Sequence, residues 1–95
     1  MFFVTLEFTA ARSKAAAFLP GHLAWLARGF VDGVFLLAGS LASNAGGAVL
    51  AAGETLEALQ ERLDADPFVA EGIVTARIVE MAPSRTDPRL AFLLD

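Results

Sequence analysis

At 95 residues, 56% of them hydrophobic and only 19% charged, the chain reads as one globular domain whose apolar content is high for its size. It has no cysteine and one histidine, which excludes a disulfide framework and thiolate chemistry and argues against a conventional zinc site. A net charge of −4, scattered basic residues and no tyrosine argue against nucleic acid as a partner.

Phe2 to Phe8, rich in β-branched and aromatic residues, is predicted as the first strand. Ala10 to Ala17 is a small-residue stretch able to begin a helix, but Pro20 and Gly21 interrupt it. Proline is best tolerated in a first turn, so the main first helix is placed from near Pro20 to near Asp32-Gly33. Leu19, Leu23, Leu26 and Phe30 recur at helical spacing and form its apolar stripe. Val34 to Leu41 and Gly47 to Ala52 are the second and third strands, joined by Ser43-Asn44-Ala45-Gly46.

This pairing settles an ambiguity, because Gly33 to Gly53 carries no charge and has about the ~20 residues of a spanning helix. Its middle, Ser40 to Gly47, is turn chemistry, which favours two strands and no membrane partner. The amino terminus has no basic segment before its apolar residues and so does not read as a secretory signal; a soluble, cytoplasmic protein is the expectation.

Thr55 is a predicted N-cap for a second helix through Asp64, with Leu56, Leu59 and Leu63 on one face and Glu57, Gln60, Glu61 and Arg62 in solvent. Asp66-Pro67 punctuates, since the residue before proline is pushed out of the helical region. Pro67 to Gly72 is a short helical turn and Ile73 to Met81 the fourth strand. The expected domain spans residues 1–81. The tail of residues 82–95, with Pro83, Pro88 and then Leu90-Ala91-Phe92-Leu93-Leu94, is expected to pack on the domain or on a partner.

The order strand, helix, strand, strand, helix, strand predicts an α+β fold, a ferredoxin-like β-α-β-β-α-β unit with an antiparallel sheet and both helices on one face. Phe3 lies opposite to Phe2, Val4 and Leu6, while Phe35 and Leu37 lie opposite to Val34 and Leu36, so both sheet faces are apolar. Monomers avoid such an exposed face, which predicts a homodimer through the open side of the sheet.

Few residues are candidates for chemistry. His22 is the one side chain whose ordinary pKa of ~6.5 suits proton transfer near neutrality. It stands beside the apolar stripe, with Trp25 and Leu26 as its neighbours along the helix, and otherwise reads as a histidine on a helix flank. Asp66 is placed to orient an imidazole and stabilise its charged form, or serves only the turn before Pro67. Trp25, Ser40 and Phe68 are candidate pocket linings, and Arg12 a candidate contact for an anionic ligand. No G-x-S-x-G elbow surrounds Ser40, and Gly46-Gly47 reads as a hairpin turn rather than a phosphate loop.

His22-Leu23-Ala24-Trp25-Leu26, the Gly33 turn, Leu36-Leu37-Ala38-Gly39-Ser40, Gly46-Gly47-Ala48 and Asp66-Pro67-Phe68 followed by Gly72-Ile73-Val74 together resemble the YciI-like family of small dimeric α+β barrel proteins. The resemblance implies that His22 and Asp66 form an active-site pair. It also implies acid–base chemistry of lyase or isomerase type on small organic acids or lactones, with no metal or organic cofactor. Two departures stand out: Leu19 where the family often carries arginine, which removes an anion contact, and Ser40 where it often carries proline. The expectation is therefore a small-molecule enzyme in which His22 moves a proton and Asp66 orients it, a device worth typically ~10²–10⁴-fold. The alternative is a non-catalytic dimeric module that binds a small ligand or a partner.

Overall fold

The computed structural model describes residues 1–94. It is an α+β domain with one four-stranded antiparallel sheet: β1 (Phe2–Phe8), β2 (Phe35–Ser40), β3 (Gly46–Ala51) and β4 (Val74–Glu80), in spatial order β2-β3-β1-β4. Three helices cover one face: α1 (Ala15–Val31), α2 (Leu56–Asp64) and the single-turn α3 (Pro67–Ala70). The ferredoxin-like order read from the sequence is the observed one, with α3 added in the connection before the last strand. Among the described residues no helix is long and apolar enough to cross a membrane, and the uncharged segment of residues 33–53 is the β2–β3 hairpin.

The period-2 alternation of β1 decides which face is buried. Phe2, Val4 and Leu6 point to the helices and are buried, beside Val49 and Ala51 of β3 and against Leu59, Leu63 and Phe68 of the helical layer. On the other side the registers align Leu37, Leu50, Phe3 and Val79 in one row across all four strands. Leu37 is 64% exposed, Val79 60% and Phe3 44%. Phe35 does not share that face with Leu37 as alternation predicts: a bulge between them breaks the register, and Phe35 is buried among the helices.

The first helix differs from expectation twice. It starts at Ala15, well before Pro20. Thr9 explains the early start: its Oγ1 accepts from the Ala11 amide at 3.1 Å and donates to the Gly72 carbonyl at 2.6 Å, which launches a 3₁₀ turn over Arg12–Lys14 that runs into α1. Pro20 then costs one helical bond, at the carbonyl of Ala16, an exposed residue that water can serve. The inward face also differs. Leu19, Leu23 and Phe30 stay half-exposed, while Phe18, Trp25 and Leu26 pack against the core and Gly29 is buried. Gly29 sits directly on the Phe35 ring and leaves no room for a Cβ, so α1 is seated on the sheet by its smallest residue.

In α2, Thr55 caps as predicted, its Oγ1 accepting from the Ala58 amide at 3.1 Å. Leu59 and Leu63 are buried, whereas Leu56 remains exposed. Arg62 is not a solvated residue: its guanidinium grips Glu54 through two bonds of 2.9 and 3.0 Å and reaches Asp32 at the end of α1 at 3.0 Å. The Glu54 and Asp32 contacts raise the pKa of Arg62 above its ordinary value, and the Arg62 hydrogen bond lowers that of Asp32. A depressed carboxylate pKa stabilises the fold above the unfolded value of 3.8, and that contribution is lost as pH falls through the lower folded value. Asp32→Asn is accordingly expected to reduce the urea midpoint at neutral pH, and the difference from wild type is expected to vanish well below pH 3.8. A difference that persists unchanged in acid would mean that the ion pair is not its source.

Candidate functional site

Local chain geometry brings the two candidate residues together. Asp66 is held extended by Pro67 and caps α3, its Oδ1 accepting from the Phe68 amide at 3.0 Å. Gly21 of α1 lets α3 approach closely: a Cβ at Gly21 would come within 3.1 Å of the Pro67 ring. His22, the next residue, therefore lies over the start of α3, and its Nδ1 donates to Asp66 Oδ1 at 2.8 Å. The His22 side chain is 15% exposed and that of Asp66 fully buried. The imidazole stacks flat on the Phe68 ring, with centroids 4.0 Å apart and planes 5° from parallel.

These contacts fix the roles of the ring nitrogens. Asp66 Oδ1 already accepts from a backbone N–H, so it is an acceptor for the imidazole as well, and Nδ1 carries the proton. In the neutral ring Nε2 is then the lone-pair nitrogen, free for a ligand. Among the described residues Asp66 Oδ2 is buried with no hydrogen-bond partner, so the carboxylate acts through its one bonded oxygen.

His22 and Phe68 line a cavity of about 310 Å³ between α1 and the helix-facing side of β2 and β3. The cavity exists because this part of the sheet carries small residues, Ala38, Gly39, Ser40 and Gly47, which cannot fill the space beneath the helix. Leu19, Leu23 and Leu26, read from sequence as the buried stripe, form its apolar wall. Ser40 lines it at the end of β2.

Two candidates, the lining Trp25 and the anion contact Arg12, fall elsewhere. Trp25 lies outside the cavity, behind His22 at a ring separation of 5.7 Å; its Nε1–H donates to the Arg62 carbonyl at 2.8 Å and its ring meets the Phe35 ring edge-on. It ties α1 to α2 and stands behind the imidazole. Arg12 is exposed and lays its guanidinium over the Phe8 ring, 4.4 Å from the centroid, without lining the cavity itself. Asn44, which sequence reading assigned only to a turn, does line it. Its backbone is left-handed, φ 57°, a conformation that asparagine tolerates better than most residues with a side chain; its place in the turn was the one signal for it in the sequence.

The fold and the site define a small α+β domain with a ligand-sized cavity under its first helix and a hydrogen-bonded His–Asp pair in the cavity wall. The chain belongs to the YCII-related domain family, whose family model matches residues 1–82. No curated protein sequence matches it. Among solved structures it is similar to the 5-chloro-2-hydroxyhydroquinone dehydrochlorinase of Burkholderia phenoliruptrix AC1100, solved as a complex with 2,5-dihydroxybenzoquinone. The TM-score is 0.69, with 14% sequence identity, over 85% of this chain and 93% of that one. At that identity the likeness is one of fold.

Proposed function

We propose that this protein is an enzyme of lyase or isomerase type that acts on a small molecule by acid–base chemistry, with His22 as the proton-transfer group and Asp66 as the residue that positions it. The observation that carries the reading is the 2.8 Å bond from His22 Nδ1 to a fully buried carboxylate, in a side chain that also lines the cavity. Nε2 takes a proton either from an enol or phenol hydroxyl, which keeps the electron pair on that oxygen, or from a carbon next to a carbonyl, whose pair moves onto the carbonyl oxygen. The enolate then re-forms its carbonyl, either expelling a leaving group with its electron pair from the carbon next to the α-carbon or, where a further double bond is conjugated with it, taking the proton back from the imidazolium at the far carbon of that system. Ser40 and Asn44 are the neutral hydrogen-bonding side chains of the cavity, suited to hold that oxygen. The chemistry needs no cofactor, because an imidazole moves protons by itself. The dehydrochlorinase of similar fold, an enzyme that eliminates chloride from a hydroxylated ring, supports the lyase form.

The test is substrate depletion over a panel of cyclic enols, phenols and lactones, with His22→Ala and the exposed-site control Glu57→Ala run beside the wild type. Turnover by wild type and Glu57→Ala, abolished in His22→Ala, is the expected result. Turnover retained in His22→Ala would remove the proton-transfer role. A compound that raises the thermal midpoint but is recovered unchanged would make the protein a binding module instead.

We further propose that the chain is a homodimer through the open sheet face. The uninterrupted apolar row Leu37-Leu50-Phe3-Val79 supports it, being a surface that water disfavours. Residues 82–95 belong to the same interface in this reading. Their 3₁₀ segment Pro88–Leu94 leaves Leu90, Phe92 and Leu94 exposed, while Asp95 lies outside the described residues. Light scattering at micromolar concentration is expected to give twice the chain mass. Phe3→Glu, which plants a charge in the row, is expected to halve it, and a monomeric wild type would sink the proposal.

A further inference from the structure

The charge of the cavity is as informative as its shape. Among the described residues that line it none is Lys, Arg, Asp or Glu, and His22 is its one titratable side chain. Arg12, the candidate for an anion contact, lies over the Phe8 ring and does not itself line the cavity. Nor does the His–Asp pair supply positive charge. When His22 is protonated, the Asp66 carboxylate 2.8 Å away cancels it; when His22 is neutral, the pair carries the charge of the buried carboxylate, whose second oxygen has no hydrogen-bond partner among the described residues. In both states an entering anion meets a site that is neutral or negative, in a protein whose net charge is −4. Burying a carboxylate or phosphate without a countercharge carries a desolvation cost that apolar contacts do not offset.

What the cavity offers instead is specific. Phe8 and Phe68 provide aromatic walls, the leucines of α1 an apolar lid, and Ser40 and Asn44 neutral donors and acceptors beside His22. Its volume of about 310 Å³ is at the small end of the usual ~300–1,000 Å³ for ligand sites, the size of a single substituted ring.

We propose that this site takes uncharged cyclic hydroxy and carbonyl compounds (phenols, enols and lactones) and rejects the carboxylates of the same skeleton. The proposal rests on the reading of His22–Asp66 as the working pair and narrows it, setting aside the organic acids that family resemblance alone would admit.

The experiment uses two pairs of probes: para-hydroxybenzyl alcohol against para-hydroxybenzoate, which differ in charge on one ring framework, and phthalide against hydroxymethylbenzoate, the carboxylate its lactone ring opens to. Binding is followed at neutral pH through the ring signals of His22, which is the chain's only histidine and therefore an unambiguous reporter. The neutral member of each pair is expected to bind at least about tenfold more tightly than its carboxylate, a difference of about 1.4 kcal/mol or more. Leu19→Arg places a guanidinium on the cavity wall from a half-exposed position and is expected to raise carboxylate affinity about tenfold or more while the fold is kept. Carboxylates that bind the wild type as tightly as their neutral partners would overturn the proposal and leave the His22 site standing. So would a Leu19→Arg protein, shown to be folded, that rejects carboxylates as the wild type does, since charge would then not be the cause. If no probe of either kind moves the His22 signals, the site reading itself fails and the proposal with it.

Discussion

Asp66→Ala is expected to lower the free energy of unfolding by about 2–4 kcal/mol, a large share of the stability of a domain this small. The side chain is completely buried, and one oxygen serves two donors: the Phe68 amide at the start of α3 and Nδ1–H of His22. A lost N-cap costs about 1 kcal/mol, and a lost hydrogen bond to a charged group about 1.5–3 kcal/mol. Relief of the unpartnered Oδ2 works in the opposite direction, which keeps the total from exceeding that sum. Asp66→Asn retains an acceptor for both donors and is expected to cost about half as much. Urea denaturation, with Glu57→Ala as the exposed control, measures both. A loss below about 1 kcal/mol for Asp66→Ala would mean that the pair is not what fastens α1 to α3. The ring nitrogens of His22 give an independent readout: the wild type is expected to hold the Nδ1–H tautomer, and Asp66→Ala to let both tautomers coexist.

Gly29→Ala is expected to destabilise the protein by about 2 kcal/mol or more, even though alanine is the better helix former by about 1 kcal/mol. The added Cβ would overlap the Phe35 ring, and Phe35 has nowhere to retreat. It is buried, with the Trp25 ring edge-on at 5.2 Å and the Phe30 ring edge-on at 6.1 Å. Overpacking of this kind moves the helix or forces a strained rotamer. A displaced α1 carries Trp25 with it, and Trp25 backs the His22 ring, so the same substitution is expected to weaken ligand binding at a distance. Phe35→Leu in the Gly29→Ala background makes room and is expected to recover part of the loss. If Gly29→Ala alone is neutral or stabilising in urea, the close seating of α1 on the sheet is not required for the fold.

How far the sequence carried can be judged residue by residue. The alternation of Phe2, Val4 and Leu6 against Phe3 placed β1 correctly, because a strand's faces follow from period 2 alone. The Thr55 cap and the Asp66-Pro67 break were legible because both act through their immediate backbone neighbours. The start of α1 was misplaced because Thr9 stabilises the turn before it through the distant Gly72 carbonyl, a contact no local pattern contains. Arg62 read as a solvated residue for the same reason, since one of its partners, Asp32, stands at the end of another helix.

The site divides along the same line. The sequence by itself determined the strand and helix order, the grouping of Phe2, Val4 and Leu6 on one face of β1 opposite Phe3, and the scarcity of titratable groups that makes His22 conspicuous. These are properties of local backbone preference and composition. The tertiary structure decided that His22 lies against Asp66 rather than on a bare flank, that the leucines of α1 wall a cavity instead of filling a core, and that Trp25 stands behind the site. It decided them because the face a helix turns inward is set by what lies beneath it: Gly29 settles onto Phe35, Gly21 admits Pro67, and the small residues of β2 and β3 leave the gap that becomes the cavity.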